Sequence, residues 1–423
     1  MGGGISPAQS AEPFAPLLAR GFVLRAGELP VVFVAVDWCE IRNEAFDRWR
    51  TVLAGAAGTR PERVLVTSTH AHDAPVADLR AQQLLDEYSP GVNITDLTFH
   101  ETAVQRVAKA LRDGLTRAQP ITHLGTGEAR VEGVASNRRF IPSVGGISYG
   151  RMSRATSAEA KAAPEGTIDP FLKTISFWNG DRAVCALHGY ATHPMSRYGQ
   201  GMVSCDFVGL ARNHRQEDDH GCFQIYTSGC AGNVTAGKFN DGTSDDRIAL
   251  TRRIYNAMLG AWTNTEKHSL RQIGWRAAKL RLEPRNAPGF TVADSLKALK
   301  EKSATPFMPF KKCLAAMNLS WRERANAGHQ IDVPVIDLGA AQILLLPAES
   351  YVEYQLFAQC VRPDSFVFVA GYGECAPGYI PIEKAWTEKD SNLGDWCWVN
   401  PGAETAMKEA IVEALGRTSY ASP

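Results

Sequence analysis

Three stretches of the sequence place metal-binding side chains just beyond runs of strand-forming residues. His70 and His72 follow the apolar run 63–69, and His193 and Glu349 each follow another such run. Ligands of α/β proteins bind at the carboxyl ends of strands, so these side chains are expected to meet. Two histidines at i and i+2 of an extended chain face the same side, and neutral imidazoles with a carboxylate are usual ligands of catalytic zinc. A single histidine at a strand end is commonly structural, so the prediction depends on the whole set.

Other motifs fit the spacing less well. A binuclear lactamase-type site would need Asp and His where the chain has Ala74 and Pro75. A barrel amidohydrolase also places His-x-His after its first strand and stays open as the structural alternative, although hairpin signals argue against eight regular βα units. The chain has no P-loop and no dinucleotide-binding glycine fingerprint, so NTPase and dehydrogenase functions lack their main support.

The apolar residues recur with the periods of alternating strands and helices. Residues 29–37, 43–57 and 63–69 predict a strand–helix–strand unit, and 95–118 has the spacing of a long amphipathic helix. Asn179-Gly180 is typical of a tight hairpin turn, because it tolerates positive φ. The other predicted elements are its flanking strands 173–178 and 183–188, a strand at 223–227, a helix from a Ser244 cap through 259, a hairpin of 335–338 and 342–346, a helix at 350–360, a strand at 365–371 and a helix at 404–415.

These elements predict a single α/β domain over 1–423, with mixed β-sheets flanked by helices. Within it, the Gly-, Ser- and Ala-rich segment 145–167 is expected to form a lid loop. Segment 288–334 shows the least regular pattern and is expected to be an insertion.

The composition restricts the partners of this 423-residue chain. Its 45 Lys and Arg residues balance 45 Asp and Glu residues, so no overall field attracts nucleic acid or anionic lipid. No apolar run reaches the ~18 residues of a transmembrane helix. No leader is visible at the N-terminus, so a cytoplasmic location is expected, or a secreted or periplasmic one if the N-terminus has been trimmed. The nine cysteines lack an even framework and are expected to be thiols.

The segment around the paired histidines resembles the histidine motif of the neutral/alkaline ceramidase family, whose members are zinc amidohydrolases. That segment reads Arg63-Val64-Leu65-Val66-Thr67-Ser68-Thr69-His70-Ala71-His72-Asp73-Ala74-Pro75. Later segments agree in order: Ser136-Asn137-Arg138, His193-Pro194, Val203-Ser204-Cys205-Asp206-Phe207-Val208-Gly209, Gly229-Cys230-Ala231-Gly232-Asn233-Val234, Leu346-Pro347-Ala348-Glu349 and Gly378-Tyr379-Ile380-Pro381. The similarity runs from about residue 20 to residue 415 and implies a ceramidase-like catalytic core. Only 44 residues follow Tyr379, so the immunoglobulin-like domain of ceramidases, which needs ~100 residues, is expected to be absent.

The resemblance implies a zinc site with four ligands: His70, His193, Glu349 and Tyr379. His72 beside them is expected to hold or shuttle a proton. Two further residues are implied, each with a second interpretation. Arg138 would neutralise an oxyanion or bind a carboxylate product, or else form an ordinary ion pair. Asp206 would accept a hydrogen bond from a metal-bound histidine, or else cap a helix.

The sequence also departs from the family pattern. Gly-Asp-Val-Ser-Pro becomes 232–236 here, with Asn233 for the aspartate and Thr235 for the serine. Thr235 keeps a hydroxyl and is the third predicted catalytic residue beside His72 and Arg138, while Asn233 is predicted to support the site from behind. Three tryptophans stand where ceramidases have tyrosines, which predicts an altered pocket wall: Trp386, Trp396 and Trp398.

The predicted function is hydrolysis of a linear N-acyl amide of small size by a zinc-activated water. The resemblance further implies a place in lipid, and specifically sphingolipid, metabolism. A zinc esterase or lactonase on the same core is one alternative. A non-catalytic protein that retains the zinc site for ligand binding is the other.

Overall fold

The computed structural model describes residues 14–27, 29–302 and 308–418. Its strands are β1 (Ala19–Leu24), β2 (Val31–Val36), β3 (Glu40–Arg42), β4 (Val64–Ser68), β5 (Val76–Asp78), β6 (His123–Arg130), β7 (Ser136–Asn137), β8 (Phe171–Asn179), β9 (Arg182–Tyr190), β10 (Phe223–Ser228), β11 (Val234–Thr235), β12 (Glu266–Ser269), β13 (Gly274–Leu280), β14 (Ile331–Asp337), β15 (Ala341–Leu345), β16 (Glu349–Ser350), β17 (Phe366–Ala370) and β18 (Tyr379–Ile380). Its α-helices are α1 (Asn43–Ala57), α2 (Leu79–Tyr88), α3 (Leu97–Leu115), α4 (Ala158–Ala162), α5 (Asp206–Asp218), α6 (Ser244–Thr263), α7 (Val292–Lys300), α8 (Met308–Asn326), α9 (Val352–Val361), α10 (Glu383–Thr387) and α11 (Ala403–Ala414).

The predicted strand–helix–strand unit is formed by β2, α1 and β4. β2 and β4 pair in parallel with Val32 opposite Val64, and β1 adds an antiparallel edge. Every residue of β2 and β4 is buried, as is usual for parallel strands covered on both faces. Helix α1 packs on this sheet through Trp49 and Leu53. His70 lies two residues beyond the end of β4, so this unit determines the position of His70.

A five-stranded sheet in the order β10-β9-β8-β6-β12 carries the second chain segment of interest. β8 and β9 form the hairpin predicted at Asn179-Gly180, and Gly180 has the positive φ, 59°, that this turn needs. β9 and β10 run in parallel, with Tyr190 opposite Ser228. Their common end therefore leads both to His193 and to the Gly-rich segment 229–237.

A four-stranded sheet in the order β13-β14-β15-β17 carries the third segment. β14 and β15 form the second predicted hairpin, and β15 pairs in parallel with β17, with Leu345 opposite Ala370. Glu349 and Tyr372 follow the ends of these two strands.

Hydrogen bonds between main-chain groups join the three sheets where their strands end. Ser68 N donates to Tyr372 O at 3.0 Å, and Gly371 N donates to Ser228 O at 2.8 Å. The five-stranded and four-stranded sheets also pack closely against each other. A Cβ added to Gly189 of β9 would lie 2.5 Å from the ring of Phe368 in β17. The ends of β4, β10 and β17 are thus fixed against one another.

The flanking helices complete the predicted α/β architecture with mixed sheets, which is confirmed. Helix α6 begins at Ser244, the predicted cap residue, so its N-cap lies one residue earlier than predicted. Thr243, not Ser244, is the N-cap, because its side chain and that of Asp246 bond reciprocally to main-chain N–H groups. Among the described residues, no helix is both long enough and apolar enough to cross a membrane. All nine cysteines are free thiols, as expected.

The two segments singled out by composition contain more regular structure than predicted. Segment 145–167 includes the short helix α4. Arg151, which precedes this helix in the segment, is fully buried. Segment 288–334 includes helices α7 and α8, whose side chains join the core of the four-stranded sheet.

Candidate metal centre

The ends of the three sheets bring His70, His193 and Glu349 together. His193 Nε2 lies 2.9 Å from Glu349 Oε2, and His70 Nε2 lies 3.3 Å from the same oxygen. All three side chains are buried, and their ligand atoms lie within 4.8 Å of one another. Two imidazoles and a carboxylate at this separation can hold a divalent metal ion.

Main-chain carbonyl groups orient both histidines. His70 Nδ1 lies 2.9 Å from Cys39 O, and His193 Nδ1 lies 2.7 Å from Ala231 O. A carbonyl oxygen only accepts, so each Nδ1 carries the proton and each Nε2 presents its lone pair to the cluster. This is the tautomer that a metal ligand requires.

The electrostatics of the cluster match a cation site. Burial first, and the nearby Arg138 second, lower the pKa of His193 to about 4, so that its ring is neutral at pH 7. Burial alone would raise the pKa of Glu349, but the contacts with His70 and His193 hold it well below its usual value. A neutral imidazole beside an ionised carboxylate is the protonation state that binds a metal.

Three of the six described non-glycine residues with positive φ lie in or beside the cluster. His70 has φ 60° and Ala348, directly before Glu349, has φ 53°. Residues other than glycine rarely adopt this left-handed conformation, and it persists where surrounding contacts enforce it. Tyr372, with φ 55°, stacks on the His70 ring with centroids 4.1 Å apart. The left-handed main-chain conformation at His70 thus accompanies the orientation of its ring toward the cluster, and the Tyr372 ring packs against it.

Tyr379 joins the cluster through a short parallel pairing. β16 and β18 pair with Glu349 opposite Tyr379, which places the two side chains side by side. Arg138 Nη1 donates to the Tyr379 hydroxyl at 2.7 Å. Burial raises the pKa of Tyr379 well above its usual value, and Arg138 opposes this rise. A bound cation would act in the same direction as Arg138 and favour the phenolate.

His72 and Arg138 flank the three ligands. His72 Nε2 lies 3.1 Å from His70 Nε2, and within the described chain its Nδ1 has no hydrogen-bond partner. Burial, followed by its two histidine neighbours, lowers the pKa of His72 well below its usual value. Arg138 Nη2 lies 3.3 Å from His193 Nε2, so a guanidinium N–H group points into the cluster.

A second group of potential metal ligands shares one histidine with the first. Cys39, His70 and His72 also lie within mutual reach. Burial raises the pKa of the Cys39 thiol well above its usual value, whereas a metal binds the thiolate. His70 faces Cys39 with its protonated Nδ1, so the group with His193 and Glu349 is the better metal site.

Three predicted residues support the site through the main chain. Thr235 Oγ1 donates to Arg151 O at 3.0 Å and accepts from Gly237 N, so this hydroxyl does not face the histidines. The predicted catalytic role of Thr235 has no geometric support. Asn233 accepts from Val352 N at the start of α9, and its own carbonyl accepts from Arg138 N at 2.8 Å. The main-chain carbonyl group of Asn233 thus helps to fix the main chain at Arg138.

Asp206 is the first residue of α5, directly after the N-cap residue Cys205. Its carboxylate accepts from Ser196 N at 3.0 Å and from Phe207 N at the start of α5. Both ring nitrogens of His193 are already engaged by other groups, so Asp206 does not orient this ring. It fixes the loop three residues after His193 instead.

A cavity of about 140 Å³ opens onto the cluster. Its polar wall consists of the predicted residues His70, His72, Arg138, Glu349 and Tyr379 together with Cys39, Glu40, Ser153 and Tyr198. Its apolar wall consists of Val76, Met152, Met195 and Trp396. Of the three tryptophans predicted to alter the pocket, only Trp396 reaches it, while Trp398 lies under Arg42 at 4.6 Å.

The sequence also contains one Gly-x-Ser-x-Gly run, at residues 146–150 around Ser148. A serine nucleophile would need this run at a turn from a strand to a helix. Ser148 instead pairs with Phe140 through the main chain, within the loop 140–155. The run therefore does not form a nucleophile elbow.

No protein-family model and no curated protein sequence matches the chain. Solved structures with a similar fold were found, however. The neutral ceramidase of Pseudomonas aeruginosa superposes with a TM-score of 0.63 and 17% sequence identity over 96% of this chain and 70% of that chain. A ceramidase complexed with C2 gives a TM-score of 0.64 and 17% identity over 96% of this chain and 71% of that chain. The chain therefore has the ceramidase-like fold that its motifs predict, in a form of divergent sequence.

Proposed function

We propose that this protein is a zinc-dependent hydrolase that cleaves a linear N-acyl amide with a metal-activated water. The observation that carries the proposal is the convergence of His70 Nε2, His193 Nε2 and Glu349 Oε2 in a buried cluster, of which His70 and Glu349 line a cavity. The ceramidase-like fold supports it, since the two similar structures are ceramidases.

Four side chains would hold the zinc ion: His70, His193, Glu349 and Tyr379. When bound, zinc lowers the pKa of a coordinated water toward ~7 and polarises the amide carbonyl. The protein's part is to present neutral imidazoles and an ionised carboxylate at fixed positions, which the carbonyl groups of Cys39 and Ala231 ensure.

His72 is the proposed proton carrier. Its low pKa keeps the ring neutral at pH 7, and its Nδ1 is free to accept a proton within the described chain. It takes the proton of the attacking water and returns it to the nitrogen of the leaving amine. An amine that leaves unprotonated is a poor leaving group, so this second transfer is essential to amide cleavage.

Arg138 is the proposed anion stabiliser. Its guanidinium donates to the Tyr379 hydroxyl and reaches the His193 ring, so it lies on the wall where the amide oxygen would develop negative charge. A preorganised donor in a buried cavity stabilises such charge strongly, because no water must reorganise. The same group then binds the carboxylate product.

The cavity limits the substrate to a small amide. Pockets for drug-sized ligands usually enclose about 300–1,000 Å³, whereas this cavity encloses about 140 Å³. Val76, Met152, Met195 and Trp396 offer it a mainly apolar wall. A short N-acyl group fits this space better than the two long chains of a sphingolipid.

Metal content and hydrolysis test the proposal together. His193→Ala and Glu349→Ala are expected to lose bound zinc and activity, whereas His72→Ala is expected to keep zinc and lose rate. His188→Gln is the matched control, because His188 is equally buried but bonds to Thr174 and Gln224 away from the cluster. Full zinc occupancy in both ligand variants would reject the site.

A screen of short N-acyl amides with their matched esters tests the reaction class. Faster cleavage of esters, with amides left intact, would favour the esterase alternative. Zinc binding without any turnover would favour the binding protein. The Thr235 hydroxyl is bonded to Arg151 O, so the change from serine to threonine removes no group from the cavity and gives no reason to expect lost turnover.

A further inference from the structure

Glu40 is a buried carboxylate in the wall of the cavity that the proposed mechanism does not use. It is 1% exposed and lines the cavity together with His70, His72 and Glu349. Its neighbour Cys39 supplies the carbonyl group that orients His70. Glu40 is therefore anchored next to the residue whose carbonyl group orients a proposed metal ligand.

The Glu40 side chain is held in a fixed position. Its Oε2 accepts from Arg42 Nη1 at 2.7 Å. Arg42 is itself fully buried and donates to Cys375 O at 2.9 Å and to Ala376 O at 2.7 Å. The described residues provide no hydrogen bond to Glu40 Oε1, which leaves this oxygen as the acceptor that a ligand in the cavity can reach.

The local charges do not balance. Arg42 lies between two carboxylates, because its Nε is 3.5 Å from Asp78 Oδ2 as well. Asp78 accepts side-chain hydrogen bonds only from neutral groups among the described residues: Asn43 Nδ2, Ser320 Oγ and Ala81 N. One guanidinium therefore serves two carboxylates, so Arg42 does not fully neutralise the pair of Glu40 and Asp78.

A buried carboxylate oxygen without a hydrogen-bond partner is unfavourable, and a hydrocarbon group placed against it would supply no partner. A positively charged donor would remove both the unpaired acceptor and the surplus charge. We propose that Glu40 determines substrate specificity by binding an ammonium group that the substrate carries beside its scissile amide. The inference rests on the proposed function and adds a substrate class, amides that bear a protonated amine.

Two pairs of isosteric amides test this assignment. N-(2-aminoethyl)acetamide and N-propylacetamide differ in an ammonium on the amine side, and glycine N-methylamide and N-methylpropanamide differ in one on the acyl side. The zinc-loaded wild type is expected to prefer the charged member of at least one pair by about tenfold or more in kcat/KM, as one charge-assisted hydrogen bond provides. Glu40→Gln keeps the size and an acceptor for Arg42, and should reduce this ratio to near one.

Glu374→Gln is the control for replacing a buried carboxyl group of this region by an amide. Glu374 is equally buried and lies near the same network, bonded to Asn43 N, but it does not line the cavity. This variant should keep the wild-type ratio. Melting temperatures of both variants establish that they are folded.

Binding measured by ligand-observed NMR, with and without zinc, separates this inference from the proposed function. A wild type that cleaves no amide but binds the charged probes more tightly, through Glu40, would overturn the hydrolase and keep the ammonium site. A wild type without preference for either charged probe, in binding and in turnover, would overturn the ammonium site. An equal preference in Glu40→Gln would overturn it too.

Discussion

Substitution of Gly232 by alanine tests whether main-chain packing fixes the metal ligands. A Cβ at Gly232 would lie 2.2 Å from Glu349 O and 2.9 Å from Tyr351 Cδ1. Ordinary contacts begin at 3.4 Å, so the Glu349 main chain would have to move by more than about 1 Å. Gly232 N also donates to Ser350 O, so the two segments cannot separate without losing this hydrogen bond.

The size of the effect follows from these distances. Metal–ligand distances in proteins vary by only about 0.2 Å, so a shift of Glu349 by ~1 Å should lower zinc affinity about 10- to 100-fold. Overpacking of a buried site of this kind should also lower the free energy of unfolding by about 1–3 kcal/mol. The first quantity is measured by competition with a zinc chelator, and the second by urea unfolding of the zinc-free protein.

Gly55→Ala provides the matched control. Gly55 lies on the exposed side of α1, where an added Cβ would meet no atom within 4 Å. Alanine is the better helix former, so this change should leave zinc affinity intact and raise the free energy of unfolding by up to about 1 kcal/mol. Wild-type zinc affinity in Gly232→Ala would refute the argument that the main chain around Glu349 sets the ligand geometry.

Three further predictions address the surroundings of the site. Arg138→Gln should keep zinc but lower kcat/KM about 10²- to 10³-fold, and a smaller loss would contradict its role toward the oxyanion. Tyr372→Phe removes a buried hydroxyl that has no partner in the described chain and should raise the free energy of unfolding by up to about 1 kcal/mol in urea, whereas lower stability would reveal a missed partner. Burial lowers the pKa of His188 to about 4 from 6.5, so between these pH values only the unfolded chain binds a proton there and stability falls as the pH falls. His188→Gln should reduce this slope by up to about 1.4 kcal/mol per pH unit, and an unchanged slope between pH 4 and 6.5 would count against the shift.

Local elements of the fold could be predicted because they depend on short stretches of sequence. Helix α1 begins at Asn43 and ends at Ala57, as its apolar spacing predicts, and the turn at Gly180 joins the predicted hairpin. The pairing of β16 with β18 could not be predicted in this way. Each strand is two residues long, and they pair only because distant parts of the chain bring them together.

The proposed ligands divide in the same way: some could be predicted from their own sequence surroundings and others could not. His70, His193 and Glu349 stand at the ends of apolar runs, which is a local signal. Tyr379 has no such signal and was implied only by the resemblance. Glu40 was missed, although a carboxylate four residues beyond a buried strand is itself unusual, because its relation to the site depends on the tertiary contact of Cys39 with His70.

Residue type alone does not determine what the hydroxyl of Thr235 contacts. Thr235 follows a Gly-rich turn close to the site, but a hydroxyl can serve either substrate or main chain, and the sequence does not fix its direction. In the structure, Thr235 pairs through its main chain with His193, while its hydroxyl bonds to Arg151 O. Its contribution is therefore to hold the segment that carries a ligand.

The proposed metal ligands are positioned mainly by main-chain groups. Carbonyl groups of Cys39 and Ala231 orient the two histidines, and His70 N is bonded to Trp38 O at 3.0 Å. The left-handed φ at His70 costs about 1–2 kcal/mol by itself, and bonds of this kind offset it. Contacts of main-chain atoms place few demands on side chains, so a chain with 17% identity to the ceramidase structures can keep their fold.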